Sequence, residues 1–147
     1  VMSDGERVTD RQLRVASSKV RYATRALVYL AANGAGRNVA AREIATEESI
    51  PEKYLEVIVG ELRAGGVLES VKGKYGGFRL ARKPSQIRLT DLLAILEPSS
   101  MSEGEADPVP AVWTEIHRKV TELIGEYTIA DAHLAEERRR GVVNYMI

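Results

Sequence analysis

The densest chemistry in this sequence lies between residues 72 and 83, where Lys72, Lys74, Arg79, Arg82 and Lys83 crowd around glycines at 73, 76 and 77. Five like charges in so short a segment repel one another unless anions or ample water neutralise them, and phosphates supply such anions. The glycines permit positive φ angles and a narrow tip able to enter a minor groove. A second set lies upstream: Lys53, Glu56, Val57 and Gly60 fall at i, i+3, i+4 and i+7, one face of a helix. In a groove, Lys53 meets a phosphate, Glu56 accepts from a cytosine amino group, Val57 touches a thymine methyl and Gly60 lets the backbone come close. Taken singly, the helix face is equally an ordinary solvated surface and the glycines are equally turn chemistry.

Other chemistry is scarce. The 147 residues contain no cysteine, which removes disulfides, thiol catalysis, zinc ribbons and cysteine-ligated clusters together. The two histidines, His117 and His133, fall on charge-rich helical stretches where a solvated role outweighs a general base. The expectation is a chain that is not an enzyme and holds no metal and no cofactor. Net charge is zero, with 21 Lys plus Arg against 21 Asp plus Glu, yet the charges are unevenly placed. Residues 11 to 90 hold 15 basic and 7 acidic side chains, an excess of eight cations that the rest of the chain offsets. A basic body with an acidic remainder suits a nucleic-acid partner at one end and protein or solvent at the other. No apolar run approaches the roughly 18 residues needed to span a bilayer, and the polar start lacks a secretory pattern, so the expected location is cytoplasmic with no membrane partner.

The elements that must position these residues follow from periodicity. Val20, Ala23, Leu27 and Leu30 predict a helix over 17–32, stopped by Asn33-Gly34. A poorly capped two-turn helix is expected over 40–48. Ser49 and Glu52 are placed to form a capping box, with Pro51 in the first turn, for a third helix with Leu55, Ile58 and Leu62 on its inner face and Gly65-Gly66 as its stop. Two short helices joined by a tight turn form a helix-turn-helix. Alternation over 67–71 and 77–81 predicts a β-hairpin with a basic tip. Thr90 is expected to cap a helix running to Leu96 before Pro98, followed by an acidic loop over 99–110. Val112, Ile116, Val120, Leu123, Ile124 and Tyr127 then form the apolar stripe of a longer helix, and a final helix ends in the Glu136 to Arg140 cluster.

The runs Ser18 to Leu27, Ile50 to Glu56, Leu62-Arg63, Ser70 to Gly73, Gly76-Gly77-Phe78 and Leu80-Ala81-Arg82 resemble the bacterial Rrf-two family of winged-helix transcription regulators, in order over roughly residues 14–97. Trp113 and Thr128 to Asp131 resemble its C-terminal helices. The resemblance implies a homodimer whose long helix crosses its partner, with the third helix in the major groove and the wing in the minor groove. By position it implies Tyr54, Glu56, Val57, Gly60 and Arg63 on the reading helix, Lys72, Gly73 and Gly76 on the wing, and Lys19, Arg21 and Tyr22 against the phosphate backbone. Lys72 stands where the family commonly has arginine, whose planar fork an ammonium lacks. Members of the iron-sulfur type hold a cluster on three cysteines in the loop before the dimer helix. Here the position of the last is Asp107, so the chain resembles the cluster-free, cysteine-repressor type.

The expected fold is therefore mainly α with a small β-hairpin wing: a winged helix-turn-helix plus a long C-terminal dimerisation helix. Residues 1–14 are expected to be a flexible extension, 15–98 the DNA-binding domain, 99–110 an acidic loop and 111–147 the dimerisation helices. Val112, Trp113, Ile116, Val120, Leu123 and Ile124 are the expected dimer interface. The expected partner is double-stranded DNA with a pseudo-palindromic operator, bound by a repressor, with a partner protein or a small-molecule effector as further possibilities. The rival expectation is a winged-helix protein-interaction module that has lost specific DNA binding. An RNA role ranks third, because no aromatic stacking surface is evident.

Overall fold

Ser17 begins the first helix by accepting from Val20 N at 3.2 Å, an N-cap followed by apolar residues at helical spacing, and α1 runs Ser18–Asn33. The computed structural model describes residues 12–101 and 110–141. Val20, Ala23, Ala26, Leu27 and Leu30 bury one face of α1, and Gly34 N closes its end on Leu30 O at 2.8 Å. α2 (Ala41–Glu47) has no side-chain cap, as its sequence predicts, and is held by Ile44 and Ala45 against the core. α3 (Glu52–Ala64) buries Leu55, Ile58, Val59 and Leu62.

The expected capping box at the start of α3 does not form. Pro51 is the N-cap and no side chain caps it, while Ser49 adopts φ +52. Ser49 belongs instead to the end of α2. Ile50 N donates back to Ala45 O at 2.9 Å, the six-to-one bond that closes a helix through a left-handed residue, and Ile50 is buried beside Ala45.

β1 (Leu68–Val71) and β2 (Gly77–Leu80) pair antiparallel, with Leu68 opposite Leu80 and Val71 opposite Gly77. Val39, from the α1–α2 connection, adds a bridge to Phe78 through bonds of 2.9 and 2.7 Å. The hairpin is thereby tied to the helix-turn-helix at its base. α4 (Leu89–Leu96) starts one residue before the expected cap: Arg88, not Thr90, is the N-cap, and the Asp91 carboxylate accepts from Arg88 N at 2.9 Å. A short pairing fixes this start, since Leu89 N donates to Tyr127 O and Ile129 N to Ile87 O, both at 2.9 Å.

α5 (Ala111–Gly125) and α6 (Ile129–Arg139) differ sharply. Thr128 and Asp131 form a capping box at the start of α6, and Ile129 is fully buried where α6 packs back on α1. α5 buries no residue. The range expected to dimerise thus contains one helix that completes the core and one that does not. That core is a single cluster around Leu27, Ile44, Leu55, Ile58, Leu62, Ile87, Leu92 and Ile129, each contributing about 1.5–3 kcal/mol by leaving water. No helix among the described residues is long and apolar enough to cross a membrane.

Candidate nucleic-acid interface

Because α3 commits Leu55, Ile58, Val59 and Leu62 to the core, its other face must look outward. Lys53, Glu56 and Val57 are exposed there, Val57 at 53% of its surface. Gly60 completes the row, with no atom within 4 Å of where a Cβ would stand, so the backbone is open to an approaching molecule. Tyr54 does not share this face. It is half-buried with its ring edge-on to Tyr22, centroids 5.5 Å apart. Arg63 Nη1 donates to Ser70 Oγ at 3.2 Å and so couples the end of α3 to β1.

Lys72, Gly73, Lys74 and Gly76 form the turn between β1 and β2, on the hairpin that Arg63 ties to the end of α3. Gly73 and Gly77 sit at φ +116 and +146, and a Cβ on Gly77 would meet Val39 O at 2.5 Å, so the tight return of the wing requires glycine there. Among the described residues Lys53 and Lys72 have no ion pair, whereas Arg79 is neutralised across the strands by Glu69 at 2.8 Å and Arg82 lies 3.7 Å from Asp91. Lys72 at the tip therefore keeps an unpaired charge among the described residues, while Arg79 and Arg82 at the base are paired within the subunit.

At the start of α1 the expected residues separate. Arg21 is exposed, donating only to Ser18 Oγ at 3.0 Å. Lys19 Nζ donates to Glu61 Oε1 at 2.9 Å and lies 2.8 Å from Glu61 Oε2, an oxygen shut off from water that receives this ionic contact without a well-angled hydrogen bond. Its charge fastens α1 to α3. Arg25, absent from the expected set, lies 5.7 Å from the centre of the Tyr22 ring and donates to the Glu48 carbonyl. It thereby holds the α2–α3 turn to α1. Its spacing, one helical turn after Tyr22, was the available signal.

A polar network braces the same unit from behind. Tyr29 Oη donates to Glu43 at 2.6 Å, and Arg37 grips the same carboxylate with two bonds of 3.0 and 2.7 Å. The Arg37 guanidinium first, and the Tyr29 hydroxyl second, hold the Glu43 carboxyl down at about 2. The Glu43 carboxylate in turn raises the Tyr29 phenol.

On α5, Val112, Trp113, Ile116 and Leu123 are exposed, Trp113 at 53%, while Val120 and Ile124 are half-buried. The helix carries Arg118–Glu122 and Lys119–Glu115 pairs at 2.7 and 3.3 Å. The acidic loop falls mostly on residues 102–109, outside the described residues, as do most of the expected N-terminal extension and residues 142–147.

The family model described as Rrf2, iron-dependent transcriptional regulator, matches residues 16–134. The chain belongs to the Rrf2 family. The chain is 33% identical over 119 residues to the HTH-type transcriptional regulator CymR of Bacillus subtilis, covering 78% of this chain and 86% of that one. Among solved structures, T. potens IscR is 30% identical with a TM-score of 0.73, covering 86% of this chain and 90% of its own. The structure of CymR, the global cysteine regulator of B. subtilis, is 30% identical with a TM-score of 0.71 over 84% of this chain and 98% of its own. An Rrf2 member of this kind is a DNA-binding transcription regulator and not an enzyme, and its fold is the winged helix expected from the resemblance. The iron named in the family description does not fit this donor set as a cysteine-ligated cluster, because the chain carries no thiol. Nor do three His, Asp or Glu side chains gather into a metal-binding group among the described residues.

Proposed function

We propose that this Rrf2 protein is a homodimeric repressor that reads a pseudo-palindromic operator. α3 lies in the major groove and the hairpin in the minor groove. The observation that carries the reading is the outward row Lys53, Glu56, Val57 and Gly60 on a helix joined through Arg63 to the hairpin whose tip carries the cations Lys72 and Lys74 without an ion pair among the described residues. Lys53, Arg21 and the wing lysines meet phosphates and fix register; Glu56 and Val57 discriminate base edges. Two copies meet through the exposed stripe of α5, which sets half-sites about one helical turn or a multiple apart. Repression follows from occupancy of a promoter by this dimer, with a partner protein or a small effector shifting its affinity.

Salt tests the reading. Affinity for a duplex selected from a random library should fall linearly in log–log form, with a slope of about −0.9 per phosphate contact. Lys72→Ala should weaken binding to all duplexes alike and lower that slope by about one. A protein lacking any preference among duplexes in dilute buffer is instead a protein-interaction module.

A further inference from the structure

Tyr75 stands at the tip of the wing with 82% of its surface exposed. Its side chain is free while its backbone is not. Gly76 N closes the tip on Gly73 O at 3.0 Å, and Asn38 Nδ2, from the α1–α2 connection, donates to Tyr75 O at 3.2 Å. The Lys74 ammonium lies 5.6 Å from the ring centre, and Lys72 precedes it by two residues in the same turn. A planar ring is thus offered to solvent from a backbone held in place, with the Lys74 cation beside it. That arrangement matches a surface that combines phosphates with flat apolar faces.

We propose, on the DNA-binding reading above, that Tyr75 is a specificity-determining wedge for the minor groove. The groove is about 6 Å wide and an aromatic ring enters only where it opens. Pyrimidine–purine steps unstack and kink at low cost, whereas A-tracts are stiff and narrow. The ring therefore selects flexible steps beneath the wing and disfavours A-tracts there, at positions α3 never touches. The two lysines hold the phosphates on either side and carry no sequence preference.

Selection from a random duplex library with the full chain, Tyr75→Ala and Tyr75→Phe tests this. The wild type and Tyr75→Phe should enrich pyrimidine–purine steps at the flanks of each half-site. Tyr75→Ala should lose that enrichment and bind the wild-type site about tenfold more weakly, about 1.4 kcal/mol. Its preference at the positions read by α3 and its salt slope should stay unchanged, because no charge is removed. Unchanged flanks in Tyr75→Ala overturn the wedge while leaving the DNA-binding reading intact. A reduced salt slope overturns it by tracing the effect to Lys74, and loss of flank preference in Tyr75→Phe overturns it in favour of a hydroxyl contact. Absence of any duplex preference in the wild type removes the wedge and the parent reading together.

Discussion

α3 and α5 are both amphipathic helices, of 13 and 15 residues, and they meet opposite fates within one subunit. α3 buries four residues of its stripe; α5 buries none of its own and leaves Val112, Trp113, Ile116 and Leu123 in water. The pattern of apolar residues therefore says that a helix needs a partner, not where the partner is. In α3 the stripe faces inward and the remaining side chains, Lys53, Glu56 and Val57 among them, are left to solvent. In α5 much of the stripe itself is exposed, which on the dimer proposed above is the surface that a second copy covers.

The largest test of this contrast pairs a truncation in the core with charges placed on the stripe of α5. Leu62→Ala removes a fully buried side chain from the centre of the core and should cost about 2–5 kcal/mol in denaturant unfolding. Ile116→Asp combined with Leu123→Asp should leave the fold of the subunit in place, since the two side chains are 39% and 53% exposed, yet give monomers by light scattering. Should the double variant remain dimeric, the contrast breaks and the stripe of α5 is not the seam.

A smaller effect separates the braced reading unit from α5. The Glu43 carboxyl is held at about 2 against its ordinary 4.5, chiefly by Arg37 and then by Tyr29. A lowered native value means that the stabilisation is complete above 4.5 and is lost as pH falls toward 2. The group is about a third exposed, so solvent screening cuts the contribution to about 1 kcal/mol. Glu43→Gln should lose that amount at pH 7 and flatten the acid limb of the stability profile between pH 4.5 and 2. An acid limb of unchanged steepness would assign the acid sensitivity to other carboxylates.

How far the sequence reads depends on whether a feature is local. α1, α3 and the hairpin are legible because periodicity and glycine stops lie within each segment, and the outward row of α3 follows from the same spacing. What is not legible depends on distant partners. Nothing near Lys19 in the sequence announces its ion pair with Glu61, 42 residues away. The Val39–Phe78 bridge and the pairing of 87–89 with 127–129 leave no local pattern, yet the second of these moves the start of α4 and misplaces the expected cap at Thr90. Tyr75 reads as one more turn residue until Asn38 is seen to hold its backbone.

Ser49 offers the finest test, because two local rules compete for it. As an N-cap of α3 its hydroxyl would satisfy an amide, and Ser49→Ala would cost about 1 kcal/mol while Ser49→Gly would cost a few tenths. As the left-handed residue closing α2, at φ +52, it carries backbone strain that glycine relieves. Part of that relief is offset by the greater freedom glycine gives the unfolded chain. Ser49→Gly should therefore raise stability by a few tenths of a kcal/mol up to about 1, and Ser49→Ala should change it little. The opposite order in thermal melts would return Ser49 to the start of α3. Arg25 grips the adjoining Glu48 carbonyl, so the turn that Ser49 closes is also tied to α1.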